Sequence, residues 1–282
     1  MPCATPSEAG RPDRQSRKAT ISRSVPISLK RFLKGAIARE LESRGQEIVR
    51  REARNGPSIP LLPLRIERCA LVEGRGTLIQ IGANDGLMDD PVRRSIVSLG
   101  LPALLVEPLP DLFERLRSNY SDQSNIHFAN VAVSETPGQA EMFRVRPSAK
   151  GFPEWVHGLA SFDKGVLLTH RNWKGVDARE FDAAIESVRV PVITMAQLLA
   201  KHPQITNVMG LQIDTEGHDY TVVRSAVGAG CLPRIINYEH KHLSYSDQVA
   251  CRNLLETHGY AFWTNASDTL AYRLQEPTAE KS

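Results

Sequence analysis

Three short apolar runs in this 282-residue chain end at residues that can hold a ligand or exchange a proton. The run 78–81 ends at the glycine turn 82–86, a second run ends at Glu107, and a third ends at Asp214. Glycine has no Cβ, so a glycine turn lets a ligand approach the backbone closely. Ligands of open α/β sheets bind beyond the carboxyl ends of the strands. We therefore predict that these three strand ends belong to one binding site.

The spacing of Glu107 points to a nucleoside. It follows Gly86 at roughly the 20-residue spacing at which nucleotide-binding α/β units place an acid that binds a ribose diol. The turn lacks the G-x-G-x-x-G pattern of dinucleotide sites, and the acids at Asp85, Asp89 and Asp90 disfavour phosphate. No G-x-x-x-x-G-K-[ST] loop is present, which argues against a kinase or ATPase of that class. A cationic nucleoside without phosphate, such as S-adenosylmethionine, fits these acids better.

The elements that position these residues alternate along the chain. Short apolar runs separated by helical segments predict an α/β fold with a parallel sheet covered by helices on both faces. We expect strands at 78–81, 101–107, 126–133, 188–193, 208–213 and 235–238, and an edge hairpin at 260–264 and 269–274.

A long segment interrupts this alternation. Residues 140–145 read as a strand, but 146–187 show no clear period, and we interpret them as an insertion or a lid over the site. Its aromatic residues Trp155, Phe162 and Trp173 are either substrate contacts or hydrophobic anchors.

Four regions make up the predicted domain organisation. Residues 1–27 are predicted to be a disordered basic leader, 28–63 an amphipathic helix followed by a linker, and 64–276 the catalytic domain, before a tail at 277–282. The basic helix at 28–54 could dock on the domain, lie on an anionic membrane surface, bind a partner, or belong to an organellar leader.

Composition excludes several classes of protein. The net charge is +3, and the basic excess lies in the leader, so we expect no binding of nucleic acid by the domain. The four cysteines form no C-x-x-C pair, which predicts neither a disulfide framework nor a cysteine zinc site. No apolar run reaches the roughly 20 residues of a membrane span. We expect a soluble, cytoplasmic protein, and nothing in the sequence indicates its oligomeric state.

Four motifs resemble those of FkbM-type S-adenosylmethionine-dependent methyltransferases. They are Ile-Gly-Ala-Asn-Asp-Gly at 81–86, Val-Glu-Pro at 106–108, the block 211–219 that contains Asp-Thr-Glu-Gly, and His-Gly-Tyr at 258–260. The resemblance runs from about residue 77 to 272. It implies a Rossmann-like sheet of seven strands, mostly parallel with an antiparallel edge hairpin, and O-methylation of a hydroxyl on a sugar or natural-product acceptor.

The resemblance also implies a set of cofactor-binding residues for S-adenosyl-L-methionine. Many relatives carry Asp where this chain has Gln80, whose neutral amide can still accept a hydrogen bond from the methionine ammonium group. Glu107 would bind the ribose diol. The implied cofactor-binding residues are Gln80, Gly82, Asn84, Gly86, Glu107, Asn130, Ala132 and Ser134.

Methylation of a neutral hydroxyl requires a group that removes its proton. The candidates are Asp214, His240 and His218, and the first two rank highest because each follows a strand. Alternatively, Asp214 caps the next helix, and His240 and His242 are structural.

A metal site and two other functions remain as alternatives. Asp214, Glu216, Glu239 and His240 could ligate Mg²⁺ or another divalent ion, although we expect no metal. An NAD-linked oxidoreductase or epimerase would need a Tyr-x-x-x-Lys or similar constellation, which we do not find. A non-enzymatic nucleoside-binding module, acting through the basic helix, is the third reading.

Overall fold

The described residues, 60–173 and 176–273 of a computed structural model, contain eleven strands and eight α-helices. The strands are β1 (Thr77–Ile81), β2 (Ala103–Val106), β3 (Ile126–Ala129), β4 (Ala132–Val133), β5 (Gly138–Val145), β6 (Ala160–Ser161), β7 (Ile185–Ile193), β8 (Val208–Ile213), β9 (Ile235–Glu239), β10 (Ala261–Thr264) and β11 (Asp268–Tyr272). The helices are α1 (Leu61–Arg68), α2 (Arg93–Leu99), α3 (Pro110–Asn119), α4 (Lys164–Thr169), α5 (Ala178–Ala184), α6 (Met195–Lys201), α7 (Asp219–Gly228) and α8 (Tyr245–Thr257). A π-helix, Cys69–Glu73, and a 3-10 helix, Glu154–Gly158, complete the set.

Seven strands form one sheet in the order β10-β11-β9-β8-β1-β2-β3. β1, β2, β3, β8 and β9 pair in parallel, and β11 runs antiparallel to both β9 and β10. The predicted Rossmann-like sheet of seven mostly parallel strands with an edge hairpin is confirmed.

The central strands β1, β2, β8 and β9 are buried on both faces, which explains why they read as continuous apolar runs, whereas the edge strand β10 is largely exposed. Ile79 and Leu104 belong to a core cluster shared with α6, α7 and α8, whereas Leu78 and Leu105 belong to a cluster shared with α1, α2 and α3. Because successive side chains of a strand point to opposite faces, helices must cover both.

The register brings the three predicted strand ends together. Ile81, the last residue of β1, pairs with the last residue of β2 and with the last residue of β8. The residues that follow these three strand ends are Gly82, Glu107 and Asp214, so all three lie at one edge of the sheet.

A second sheet, in the order β4-β7-β5-β6, departs from the sequence-based prediction. The strand expected at 126–133 breaks at Asn130, so β3 stays in the main sheet and β4 joins the second one. The strand expected at 188–193 begins at Ile185 and pairs antiparallel with β5. Residues 146–184 connect these two strands, so the insertion is the long loop of a β5–β7 hairpin. The segment 146–187 is more regular than expected and contains a 3-10 helix, β6, α4 and α5.

The linker predicted up to residue 63 is wrong at its end, because α1 begins at Leu61. Pro63 is tolerated there since the amide nitrogens of a first helical turn have no partner within the helix. The predicted leader at 1–27, the helix at 28–54 and the tail at 277–282 lie outside the described residues. Within the described part of the chain, no helix is both long enough and apolar enough to span a membrane.

Candidate active site

The glycine turn after β1 fits closely between two other elements. Gly82 has a φ of +81°, and a Cβ there would lie 1.8 Å from the backbone oxygen of Asp214. Gly86 has a φ of +71°, and a Cβ there would lie 2.6 Å from Leu116 Cδ1 and 2.8 Å from Tyr120 Cε2. Gly82 therefore lets the ends of β1 and β8 touch, while Gly86 lets the turn pack against the α3 region.

Glu107 is held in place by backbone amides. Its Oε2 accepts a hydrogen bond from Asn84 N and its Oε1 accepts one from Leu109 N, each at 2.9 Å. Burial raises the pKa of Glu107 to about 7, although these two hydrogen bonds lower it. Each carboxyl oxygen has a second lone pair, so the side chain can still accept hydrogen bonds from a ligand.

A cavity of about 590 Å³ lies at this edge of the sheet. Several predicted site residues line it: Gln80, Gly82, Asn84, Glu107, Ala132, Asp214, Glu216 and His218. Trp155, Phe162 and Trp173 of the insertion form part of the same wall. A second depression of about 430 Å³ lies beside Arg117 and Phe128, and none of the predicted site residues lines it.

Gln80 and Asp90 each present an unsatisfied oxygen in the cavity wall. Gln80 Oε1 and Asp90 Oδ2 are buried and have no hydrogen-bond partner of good geometry among the described residues, whereas Asp90 Oδ1 accepts from the backbone amides of Val92 and Arg93. Burial raises the pKa of Asp90 to about 6. The Gln80 side chain is nevertheless close enough to the Asp90 carboxyl to lower its pKa. Sequence reasoning missed Asp90 as a site residue, because its position before a helix does not show where its side chain points.

Asp214 offers a carboxyl group to the cavity. Its backbone N donates to Ile81 O at 3.0 Å, which holds it at the junction of β1 and β8. The residue is exposed and lines the cavity. Burial, followed by the neighbouring charges of Glu216 and Glu239, raises its pKa well above the usual value. A carboxyl with a raised pKa is a better proton acceptor.

Behind Asp214 lies a group of titratable side chains that the sequence predicted only in part. His242 Nε2 lies 3.1 Å from Glu216 Oε2 and 3.7 Å from Glu239 Oε2, and its ring centroid lies 5.3 Å from that of His170. Burial raises the pKa of Glu216 to about 7 and of Glu239 to about 8, and lowers the pKa of His242 to about 4. The predicted metal set named His240, whereas the structure groups two other histidines with the acids. No local pattern singles out His170.

The two histidines proposed as bases lie in different places. His218 lines the cavity, with its Nε2 3.1 Å from Ser134 Oγ and its ring edge-on to Phe162, and burial lowers its pKa to about 4. His240 Nδ1 lies 3.1 Å from Thr269 Oγ1 of the edge hairpin. Neither His240 nor Ser134 is among the described residues that line the cavity.

Two other predicted cofactor residues support the wall from behind. Asn130 Nδ2 donates to the backbone oxygens of Glu107 at 2.8 Å and Pro108 at 3.0 Å, which fixes the loop that carries the acid. Like Gly86, Asn130 is not one of the described residues that line the cavity, whereas Ala132 is.

The sequence from Gln80 to Phe262 matches the model of the methyltransferase FkbM domain, which covers residues 80–262. The chain belongs to the FkbM methyltransferase family. The match begins in β1 and ends in β10, so it includes every strand that contributes to the cavity wall. No curated protein matches the chain significantly.

Several solved methyltransferases resemble this FkbM domain. An FkbM methyltransferase from Methylobacillus flagellatus KT is 14% identical, with 70% of this chain and 44% of that chain covered and a TM-score of 0.43. A human methyltransferase 10 domain containing protein is 11% identical, with 87% and 97% covered and a TM-score of 0.40. A methyltransferase from Geobacter sulfurreducens is 11% identical, with 89% and 98% covered and a TM-score of 0.40. The chain therefore spans less than half the length of the Methylobacillus protein.

The family implies S-adenosylmethionine as methyl donor, and the wall of this FkbM domain fits that molecule. Glu107 has free lone pairs for a ribose diol. The unsatisfied oxygens of Gln80 and Asp90 would accept hydrogen bonds from an ammonium group. The acids around the cavity suit a ligand with two positive charges, and Asp90 supplies a carboxyl beside Gln80.

Proposed function

We propose that this protein transfers a methyl group from S-adenosylmethionine to a hydroxyl oxygen of a sugar or natural-product acceptor. The observation that carries the proposal is the Asp214 carboxyl, which faces the cavity at the end of β8, directly beside Gly82. A carboxyl at this place can take the proton of an acceptor hydroxyl as its oxygen is methylated.

The residues around the cavity would have different roles. When bound, S-adenosylmethionine supplies an electrophilic methyl group on a sulfonium. Glu107 would bind the ribose diol, while Gln80 and Asp90 would bind the ammonium group. Asp214 would orient the acceptor hydroxyl and accept its proton. Methyl transfer is an in-line displacement, so holding both reactants in position provides much of the rate enhancement.

The insertion forms the part of the wall that suits the acceptor. Trp155 and Trp173 lie with ring centroids 5.8 Å apart, and the Trp173 side chain is exposed. Phe162 lines the same cavity, as does Lys241. Aromatic rings beside a few polar groups are typical of sites for small organic ligands. This wall supports a sugar or polyketide-like acceptor, in which an apolar ring face carries hydroxyl groups.

An acceptor screen tests the proposal. The full chain is incubated with S-adenosylmethionine carrying a deuterated methyl group and a panel of hydroxylated sugars and polyketide-like compounds, and the products are analysed by mass spectrometry. We expect one labelled methyl group on an oxygen, placed by fragmentation, and labelling that is about 1000-fold slower with the Asp214→Asn variant. Methylation of nitrogen or carbon would contradict O-methylation, and labelled product from Asp214→Asn at the wild-type rate would contradict the assigned base.

A further inference from the structure

Three side chains from separate segments meet beside the cavity. His170 follows α4 in the insertion, Glu216 lies in the loop after β8, and His242 lies in the loop after β9. One ligand atom from each, two imidazole nitrogens and a carboxylate oxygen, lies within 4.8 Å of the others. Since these residues are far apart in sequence, only the tertiary fold brings them together.

The facing atoms of this cluster lack hydrogen bonds. His170 Nε2, His242 Nε2 and Glu216 Oε2 are buried and have no hydrogen-bond partner among the residues described. The His170 residue is 6% exposed and the His242 side chain 7% exposed. A buried polar atom without a partner costs about 1–3 kcal/mol. Three such atoms on side chains whose ligand atoms meet within 4.8 Å indicate that something else satisfies them.

A hydrogen bond within the cluster does not solve this problem. His242 Nε2 and Glu216 Oε2 are 3.1 Å apart, but their orientation does not satisfy a hydrogen bond. Rotation of one side chain to form that bond would still leave His170 Nε2 without a partner. Glu239 Oε2, 3.7 Å from His242 Nε2, is also unpaired among the described atoms.

We propose that His170, Glu216 and His242 bind one divalent transition-metal ion, with zinc as the preferred ion. Two imidazoles and a carboxylate form a donor set typical of zinc, whereas Mg²⁺ and Ca²⁺ prefer oxygen ligands alone. The Glu239 carboxylate, or a water molecule, completes four-fold coordination. Zinc with bonds of about 2.1 Å holds tetrahedral ligand atoms about 3.4 Å apart, so small side-chain rotations would draw the donors together.

The ion would tie the insertion to the sheet. His170 comes from the segment that also supplies Trp155 and Trp173 to the cavity wall, and its ring centroid lies 5.8 Å from that of Trp155. A metal bond from His170 to the loops after β8 and β9 would therefore fix the acceptor side of the cavity. This role does not depend on which molecule is methylated.

The test uses the untagged full chain after removal of metal with EDTA. Calorimetry with zinc chloride should show one ion bound per chain, and zinc should raise the melting temperature, whereas magnesium chloride should do neither. Loss of outer groups around a metal site already costs about 10- to 100-fold in affinity, so His170→Gln and His242→Gln should each weaken zinc binding by at least about 100-fold. Their melting temperatures in EDTA report whether each variant folds.

Two matched controls separate this cluster from other histidines. His258→Gln removes a ring that belongs to neither group of candidate metal ligands. His127→Gln disrupts the pair His127 and His202, whose Nδ1 atoms both lie within 3.4 Å of Gln204 Nε2 and which could bind zinc weakly. Both variants should bind zinc as the wild type does. The proposal is overturned if the wild type binds no zinc, if folded His170→Gln and His242→Gln bind it unchanged, or if His127→Gln abolishes binding.

Discussion

The two sides of the cavity bury carboxyl groups in opposite ways. On the β1–β2 side, defined by Gly82, Asn84 and Glu107, both oxygens of the acid accept hydrogen bonds from backbone amides. On the β8–β9 side, defined by Asp214, Glu216 and Glu239, the acids stand close together, and one oxygen each of the two glutamates has no hydrogen-bond partner among the described residues. The first side is fixed before a ligand arrives, whereas the second depends on a proton or a cation.

This difference suits the β1–β2 side to binding the cofactor and the β8–β9 side to proton transfer. An acid held by backbone amides keeps one geometry and can select a neutral diol. Burial, and after it the repulsion between neighbouring acids, raises the pKa of Asp214 and of Glu239, which suits a group that accepts a proton during the reaction.

The largest effect is expected from Asp214→Asn, which keeps the size of the side chain but removes its basicity. We expect kcat for the acceptor found in the screen to fall by about 1000-fold, because general bases contribute about 100- to 10,000-fold. Affinity for S-adenosylmethionine, measured by calorimetry, should stay within about twofold of the wild type. His218→Asn, which alters the other titratable candidate in the wall, should lower kcat by less than about tenfold. The reverse order would move the base to His218.

Gly82→Ala tests the contact between the ends of β1 and β8, where the two sides meet. The new Cβ would lie 1.8 Å from Asp214 O in a backbone with positive φ, so the ends of β1 and β8 must separate. We expect a loss of about 3 kcal/mol in the free energy of unfolding, and a melting temperature lower by about 6–12 °C.

Gly259→Ala is the matched control for this contact between strand ends. Gly259 has a φ of +78° and open space where a Cβ would stand, so only the conformational cost of about 1 kcal/mol applies. Equal melting temperatures for the two variants, measured by calorimetry, would show that contact between the strand ends does not limit stability.

Glu107→Ala should lower affinity for S-adenosylmethionine by about 100-fold, because two hydrogen bonds to a carboxylate at about 1.5 kcal/mol each are lost. Asp214→Ala should change this affinity by less than about threefold. Glu114→Ala, which removes an exposed acid of α3, controls for net charge. Equal losses for Glu107→Ala and Asp214→Ala in titration calorimetry would mean that both sides hold the cofactor.

The β1–β2 side was predictable from sequence because its determinants are local. A short apolar run, a glycine turn and an acid at a set spacing define strand ends and the register that aligns them. The break at Asn130 was not predictable, since the apolar pattern continues through Val131 to Val133 and only the side-chain bonds of Asn130 to the next loop reveal the change of sheet.

The β8–β9 side was predictable only as a set of residue types. Acids after β8 and histidines after β9 indicated titratable chemistry, but the choice between His240 and His242 depends on which ring faces inwards. His170 lies in the insertion, between two strands of the second sheet. The pairing of these strands is long-range, and no local hydrophobic period in the sequence reveals it. Side-chain direction beyond a strand end and contacts made through an insertion both need the tertiary structure.

The smallest effect concerns pH and stability in the absence of metal. The folded-state pKa values of Glu107 and Glu216 are raised to about 7 and that of Glu239 to about 8, so between pH 6.5 and 8 the folded chain binds more protons than the unfolded chain. Stability therefore falls as pH rises through this window. His218 and His242, with pKa values lowered to about 4, stabilise the fold as pH rises from 4 to 6.5 and add no slope above it.

Glu239→Gln should remove part of that slope, because an amide resembles the protonated acid and cannot ionise. We expect the stability of the variant relative to the wild type to rise by about 1 kcal/mol between pH 6.5 and pH 8 in EDTA, or by about 2–4 °C in melting temperature. Glu256→Gln, an exposed acid of α8, should leave the slope unchanged. If Glu239→Gln has the wild-type slope, the acids of the β8–β9 side are not held protonated by one another, and the contrast with Glu107 rests on hydrogen bonding alone.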